Sequence, residues 1–193
     1  MELTTIYTIV GFALAGYSVI ANDSIQTLGT FIASKQKWFK WYTLAGSASV
    51  VMAIAITWGW YSYDGDISYG RLNRIPFQEI QWYHAVAPAI LLILTRVGIP
   101  VSTTFLVLSA FASTVVLEKM LMKSVVGYGL AAVVAYIAWI VVSKFINEKF
   151  DEVQDKWIGF WRNSVWITSG WLWWVWLSHD VANIAVYLPR QLD

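Results

Sequence analysis

The chain has 193 residues, of which 58% are hydrophobic and only 13% are charged, whereas roughly a quarter of the residues are charged in an average soluble domain. Its net charge of +1 leaves no basic surface of the kind that nucleic-acid binding requires. The absence of cysteine excludes disulfides and thiolate metal sites. The composition therefore predicts an all-α polytopic protein, crossing the cell membrane several times and embedded in the lipid bilayer.

The first apolar segment, residues 3–33, is too long for a single span of ~20 residues. The polar sequence Ala21-Asn22-Asp23-Ser24 interrupts it, so we expect a broken helix. A basic loop at 34–40 and an uninterrupted span at 41–62 follow. The next loop, 64–80, is polar and carries both acidic and basic residues.

The second long apolar stretch, residues 83–117, contains a glycine, a proline and three consecutive hydroxyl residues in its middle, at Gly98–Thr104. Pro100 lacks a backbone donor and disfavours helix at Ile99, so a helix should end here and another should begin near Ser102. The free amides at a helix start favour an anion. This break is therefore the predicted floor of an anion site.

Further along the chain, a short loop at 118–124 precedes a predicted span at 125–146. The loop 147–156 is fully polar, and the last apolar segment covers 157–189. A third interruption lies in that segment at Ser178-His179-Asp180-Val181-Ala182-Asn183.

The distribution of basic residues predicts the topology. The two most basic loops, 34–40 and 144–162, should lie inside. The loops 64–80 and 118–124 then lie outside, so both ends of the stretch 83–117 are on one side. About 35 residues are too few for two full spans and too many for one. A re-entrant hairpin of two short helices satisfies both conditions.

Two motifs containing Asp should cross the membrane in opposite directions. They are Asn22-Asp23-Ser24-Ile25-Gln26 and His179-Asp180-Val181-Ala182-Asn183. Such a pair is typical of an inverted-repeat transporter, whose substrate site lies between the repeats. The predicted organisation is a first repeat at 1–146, a cytoplasmic loop at 147–156 and the start of a second repeat at 157–193.

Asp23 and Asp180 are the only acidic residues deep within apolar segments. A carboxylate in that environment is normally paired, protonated or bound to a cation. The amides of Asn22, Gln26 and Asn183 supply neutral oxygens nearby, and this set favours a hard monovalent cation such as sodium. The alternative is that each Asp lies near a helix end and is solvated by water.

The hydroxyls of Ser102, Thr103 and Thr104 are candidate anion ligands, although such residues also bond to helix carbonyls. Phosphate-loop, zinc-protease and catalytic-triad patterns are missing from the sequence. We therefore expect a protein that is not an enzyme and has no cofactor other than a coupling ion.

The three interruptions resemble the inorganic phosphate transporter (PiT) family, whose two inverted repeats each carry an Asn-Asp-x-Ala-Asn motif and a Gly-x-Pro-Val-Ser-Thr-Thr-His motif. The corresponding sequences here are Asn22-Asp23-Ser24-Ile25-Gln26, Gly98-Ile99-Pro100-Val101-Ser102-Thr103-Thr104-Phe105 and His179-Asp180-Val181-Ala182-Asn183. A second Pro-Val-Ser-Thr-Thr sequence does not follow the last motif. The resemblance therefore implies a C-terminally incomplete copy or two chains that share one site as a homodimer.

The resemblance also implies a function, namely symport of inorganic phosphate with sodium. The alternatives are another oxyanion such as sulfate, coupling to protons, or a half-transporter subunit that does not transport by itself. By resemblance, sodium would bind at Asn22, Asp23, Gln26, Asp180 and Asn183, and phosphate at Asp23, Ser102, Thr103, Thr104 and Asp180.

Overall fold

The computed structural model describes residues 2–99, 101–146 and 155–192. Regular structure in these ranges is helical, without any strand. The helices are α1 (Leu3–Ser18), α2 (Ser24–Lys35), α3 (Trp41–Ser62), α4 (Trp82–Arg96), α5 (Thr103–Ser109), α6 (Thr114–Val141), α7 (Asp155–Asp180) and α8 (Ala182–Ala185), with π-helical turns at Val19–Asp23 and Val142–Ile146 and a 3₁₀ turn at Arg71–Arg74.

Three helical segments of the described chain are long and apolar enough to cross a membrane, namely Leu3–Lys35, Trp41–Ser62 and Thr114–Lys144. The chain is therefore an α-helical membrane protein, as its composition predicted. Helix α7 is not one of the three, although it is 26 residues long and packs along α2 and α3. A membrane crossing by residues 157–189 thus stays a prediction.

The first helix does not break at Asn22 and Asp23, so this prediction was wrong. A π-helical turn at Val19–Asp23 joins α1 directly to α2. Neither residue lacks a backbone N–H as proline does, so nothing forces the chain out of the helix. The wider turn changes the side-chain register, and both polar side chains are buried.

Helix α4 ends through a glycine. Gly98 has a φ of 80°, which only glycine adopts readily. Its N–H donates to Thr95 O at 3.0 Å, and the N–H of Ile99 donates to Leu94 O at 3.0 Å. This pair of bonds is the Schellman motif, a common helix end. Pro100, to which the sequence argument attributed the break, lies outside the described residues.

Helices α4 and α5 pack against each other as a hairpin whose two ends meet. Gln78 Nε2 donates to Phe111 O at 2.9 Å, and the rings of His84 and Phe111 stack with their centroids 4.1 Å apart. The hairpin is shorter than the predicted 83–117, because α6 already begins at Thr114.

The loop predicted at 118–124 is helical, so the span predicted at 125–146 starts at Thr114 instead. Leu, Met, Glu and Lys are all strong helix formers, and lysine side chains can reach water from within a membrane helix. Charged residues here therefore do not mark the end of the helix. Of the cytoplasmic loop predicted at 147–156, residues 147–154 lie outside the described ranges.

The segment after α8 is fixed against α1 and α4 by Tyr187. Pro88 lies inside α4 and has no N–H, which leaves His84 O without its helical donor. The Tyr187 hydroxyl donates to that oxygen at 2.6 Å. Gly11 of α1 makes room for the ring, since a Cβ there would lie 2.7 Å from Tyr187 Cδ1. The second Asp motif is thereby held close to the first.

Candidate cation and anion site

Two consecutive threonines at the start of α5 connect the two Asp motifs. Thr103 Oγ1 donates to Asp23 Oδ1 at 2.7 Å, across 80 residues of sequence. Thr104 Oγ1 donates to Asp180 Oδ1 at 2.6 Å, across 76 residues. The hairpin tip therefore lies between the motifs and brings together residues that the sequence singled out separately.

The first half of the site is organised by Asn22. Its Nδ2 lies 2.9 Å from Asp23 Oδ1, 2.9 Å from Thr103 Oγ1 and 3.0 Å from Val101 O. The amide has two hydrogens for these three acceptors, so they must be shared. Its Oδ1 accepts from the Thr95 hydroxyl at 3.3 Å. Asn22 thus connects the π-helical turn to both arms of the hairpin.

The second half of the site is organised by Asn183 of α8. Its Nδ2 donates to Asp180 Oδ1 at 3.2 Å and to Thr104 Oγ1 at 3.3 Å. Asp180 is the last residue of α7, and α8 starts after Val181. Val181 between them keeps a helical backbone conformation, so Asp180 and Asn183 lie three residues apart on one face.

Three buried oxygens at this site have no hydrogen-bond partner among the described residues. They are Asp23 Oδ2, Thr27 Oγ1 and Asn183 Oδ1. Leaving such groups unsatisfied costs about 1–3 kcal/mol each, and more for a charged group. Carboxylate, hydroxyl and amide oxygens are the ligands of hard cations. These oxygens are therefore of the types that a sodium ion would accept as ligands.

The electrostatics of the site favour the same conclusion. Asp23 and Asp180 are 1% and 7% exposed, and their charges lie close enough to act on each other. The hydrogen-bond partners of both carboxylates are neutral hydroxyls and amides. If both carboxyl groups are ionised, their two negative charges repel each other with little water to screen them. A bound cation would relieve that repulsion.

One basic side chain acts on the site from the loop 64–80. Burial lowers the pKa of Arg71, while the negative charge of Asp180 raises it. The Arg71 side chain extends from the 3₁₀ turn at Arg71–Arg74, which is held by the carboxylate of Asp66. The two oxygens of Asp66 accept from Ser68 N at 2.7 Å and Gly70 N at 3.0 Å. The sequence alone did not indicate a role for this arginine.

Two further residues at the site were missed by the sequence argument. Thr27 lies four residues after Asp23, and Trp176 lies four residues before Asp180. Residues at this spacing share one face of a helix. The Trp176 indole N–H approaches the Asp23 carboxylate without completing a hydrogen bond. Their positions, one helical turn before or after an Asp, are the feature of the sequence by which they could have been identified.

Two predicted ligands lie outside the buried cluster. Gln26 is exposed, and its Nε2 is 3.4 Å from Val101 O at the rim. Ser102 caps α5, because its Oγ accepts from Phe105 N at 3.2 Å. Helix α5 has only 7 residues. Since the hydroxyls of Thr103 and Thr104 donate to carboxylates, an anion would have to compete for them.

No known protein family, curated protein or solved structure matches this chain. The class of this protein is therefore inferred from its own sequence and structure. It is an α-helical membrane protein in which a helical hairpin joins two buried aspartates.

Proposed function

We propose that this chain is a secondary transporter that moves inorganic phosphate together with a cation, and that the cation is sodium. The observation that carries the proposal is the junction between Asp23, Asp180 and the two threonines that separately contact them. Buried carboxylates in membrane proteins mark ion and substrate pathways. The resemblance to phosphate transporters at the same positions supports the choice of anion.

The proposed cation ligands are the unpartnered oxygens of Asp23, Thr27 and Asn183, with Asp180 as the second charge. Sodium has no hydrogen-bonding requirement and accepts several oxygens of mixed type. Its charge offsets the repulsion between the two carboxylates and allows a phosphate to approach them.

The hydroxyls give a physical reason for coupling. Without a cation, the hydroxyls of Thr103 and Thr104 donate hydrogen bonds to the carboxylates. A hydroxyl proton can rotate towards another acceptor. A cation bound to the carboxylate weakens the hydrogen bond that the carboxylate accepts from the hydroxyl. Sodium binding would thus release two donors for phosphate, next to Ser102. We propose that the motifs belong to inverted repeats, which alternate access to this site.

Uptake of labelled phosphate into proteoliposomes tests the proposal. An inward sodium gradient should drive uptake, and replacing sodium by potassium should abolish it. Excess unlabelled phosphate should compete, whereas sulfate should not. Competition by sulfate would identify the oxyanion alternative, and uptake driven by a pH gradient without sodium would identify proton coupling.

One observation favours a second candidate, a subunit that works only in an assembly. Helix α6 has no buried residue within the described chain, although it is the most apolar of the candidate spans. Either lipid or another subunit must cover such a helix. If the purified chain neither takes up nor binds phosphate and co-purifies with a stable partner, the subunit interpretation replaces the transporter.

A further inference from the structure

A cavity of about 780 Å³ lies on the side of α2 away from the hairpin. It is bounded by α2, the loop 36–40, α3 and Trp173 of α7. Leu28, Phe31, Leu44 and Trp173 are buried there, so its floor is apolar. Its volume is typical of ligand-binding cavities.

The cavity is a groove along one helix face. Ile20, Ser24, Leu28 and Phe31 line it, and their spacing of three or four residues places them on one side of the helix. From Ile20 to Gln36 the lining covers about 24 Å at 1.5 Å per residue. One leaflet contributes only about 15 Å of hydrocarbon. The groove is therefore long enough for an extended acyl chain.

Among the described residues that line the groove, the charged ones are Lys37 and Lys40, and both lie at one end. Lys37 and Lys40 line this end and are exposed, and no acidic residue occurs from position 24 to position 63. Trp38 and Trp41 beside them are 80% and 78% exposed. Exposed tryptophans next to lysines are typical of the level of the lipid headgroups. The groove therefore combines an apolar interior with a cationic, interfacial opening.

We propose that this groove binds an anionic phospholipid of the surrounding bilayer. The phosphate of the headgroup lies between Lys37 and Lys40, and one acyl chain extends along the α2 face towards Ile20. Basic pockets between membrane helices recognise anionic headgroups by this charge complementarity. A zwitterionic lipid would bring a second, positive group to the same lysines and would bind less well.

The far end of the groove touches the π-helical turn. Ile20 belongs to this turn and Ser24 follows it, and the Ser24 hydroxyl donates to Ile20 O. The same turn carries Asn22 and Asp23 on its other side, where both are buried. A bound acyl chain thus packs behind the site residues, and the lipid site is separate from the proposed transport activity.

Native mass spectrometry of the purified full chain tests this proposal, with phosphatidylglycerol and phosphatidylcholine added in turn and without sodium or phosphate. The wild type should retain phosphatidylglycerol in preference to phosphatidylcholine. The double variant Lys37→Gln, Lys40→Gln should reduce that preference by about 30-fold. This figure is the attraction of two lysines to an anionic surface, converted into a ratio of binding constants. The matched control Lys119→Gln, Lys123→Gln removes the same charge from α6 and should leave the preference unchanged.

A second variant tests the groove independently of charge. Ala45→Phe fills it from α3 and should reduce binding of both lipids, and Ser49→Phe does the same one turn further along. An unchanged preference in the double lysine variant, equal to that of its control, would overturn the proposal. A second result would also overturn the proposal. It is normal lipid binding by both filled variants together with displacement of the lipid by inorganic phosphate, because the site would then recognise a free anion.

Discussion

The two Asp motifs use similar side chains but different backbones. In the first, the helix continues through a π-helical turn, and Asn22 bonds to the adjacent Asp23. In the second, α7 ends at Asp180, and Asn183 of the next short helix supplies the amide. Each carboxylate then accepts a bond from one of two consecutive threonines.

The difference shows where an irregular backbone is needed. Residues three apart on a helix are neighbours, whereas adjacent residues do not face each other. The second motif therefore pairs its amide and carboxylate across an ordinary helical spacing. The first must bury two adjacent polar side chains on one side, and it does so with a wider turn.

The largest expected effect comes from neutralising either carboxylate. Asp23→Asn and Asp180→Asn should each reduce sodium-dependent phosphate uptake to background, because each removes a charge that balances a cation. Asp64→Asn, which removes a charge from an exposed loop position, should transport normally. Full uptake by a folded Asp23→Asn protein would refute its role, and loss in only one variant would show that the two motifs are not equivalent.

Sodium should stabilise the folded protein through the same carboxylates. At a sodium concentration 100 times its Kd, the gain is about 2.7 kcal/mol, measured as a higher Tm in sodium than in potassium. Asp23→Asn should lose this difference, and Thr27→Val should lose part of it. An equal response to sodium in wild type and Asp23→Asn would place the cation elsewhere.

Removing the hydroxyls separately compares the two halves of the site. Thr103→Val and Thr104→Val each delete one hydrogen bond to a carboxylate and should cost about 1.5–3 kcal/mol of unfolding free energy. We expect the larger loss at Thr103, because it is buried and Asn22 donates to its hydroxyl at 2.9 Å, whereas Thr104 is half-buried and Asn183 donates to it at 3.3 Å. Thr43→Val, on an exposed position of α3, is the control. Equal stability of all three variants in chemical denaturation would contradict the assigned bonds.

The contact that holds the second motif against α1 can be tested at glycine. Gly11→Ala would push the Tyr187 ring away from His84 O and should cost about 1–3 kcal/mol. Gly16→Ala on the same helix meets nothing within 4 Å and should not lower stability, since alanine is the better helix former. A comparison of the two Tm values is sufficient, and equal values would show that Tyr187 does not fix this region.

The smallest effect is expected at Gln26. Gln26 was predicted to be a sodium ligand, whereas its side chain is exposed at the rim of the site. Gln26→Ala should therefore change stability by no more than about 0.5 kcal/mol, as surface substitutions usually do. Its sodium-dependent gain in Tm should equal that of the wild type. A lost response would restore Gln26 as a ligand.

Local sequence was sufficient for several features of this protein. Composition and long apolar segments predicted a helical membrane protein, because only 13% of the residues are charged and a span needs about 20 apolar residues. The sequence predicted a helix end within Gly98–Thr104, although it attributed that end to Pro100 and not to the positive φ of Gly98. Asp23 and Asp180 stood out because carboxylates are costly within apolar segments.

Tertiary structure decided the rest. The helix at 118–124 is an exception, because the helix preference of Leu, Met, Glu and Lys is sufficient to account for it. The assignment of Thr103 to Asp23 and of Thr104 to Asp180 depends on how three helices pack. So does the burial of Thr27 and of the Trp176 indole nitrogen. A window of sequence determines hydropathy and backbone preference, whereas contacts across about 80 residues are determined by the packing of the whole helical assembly.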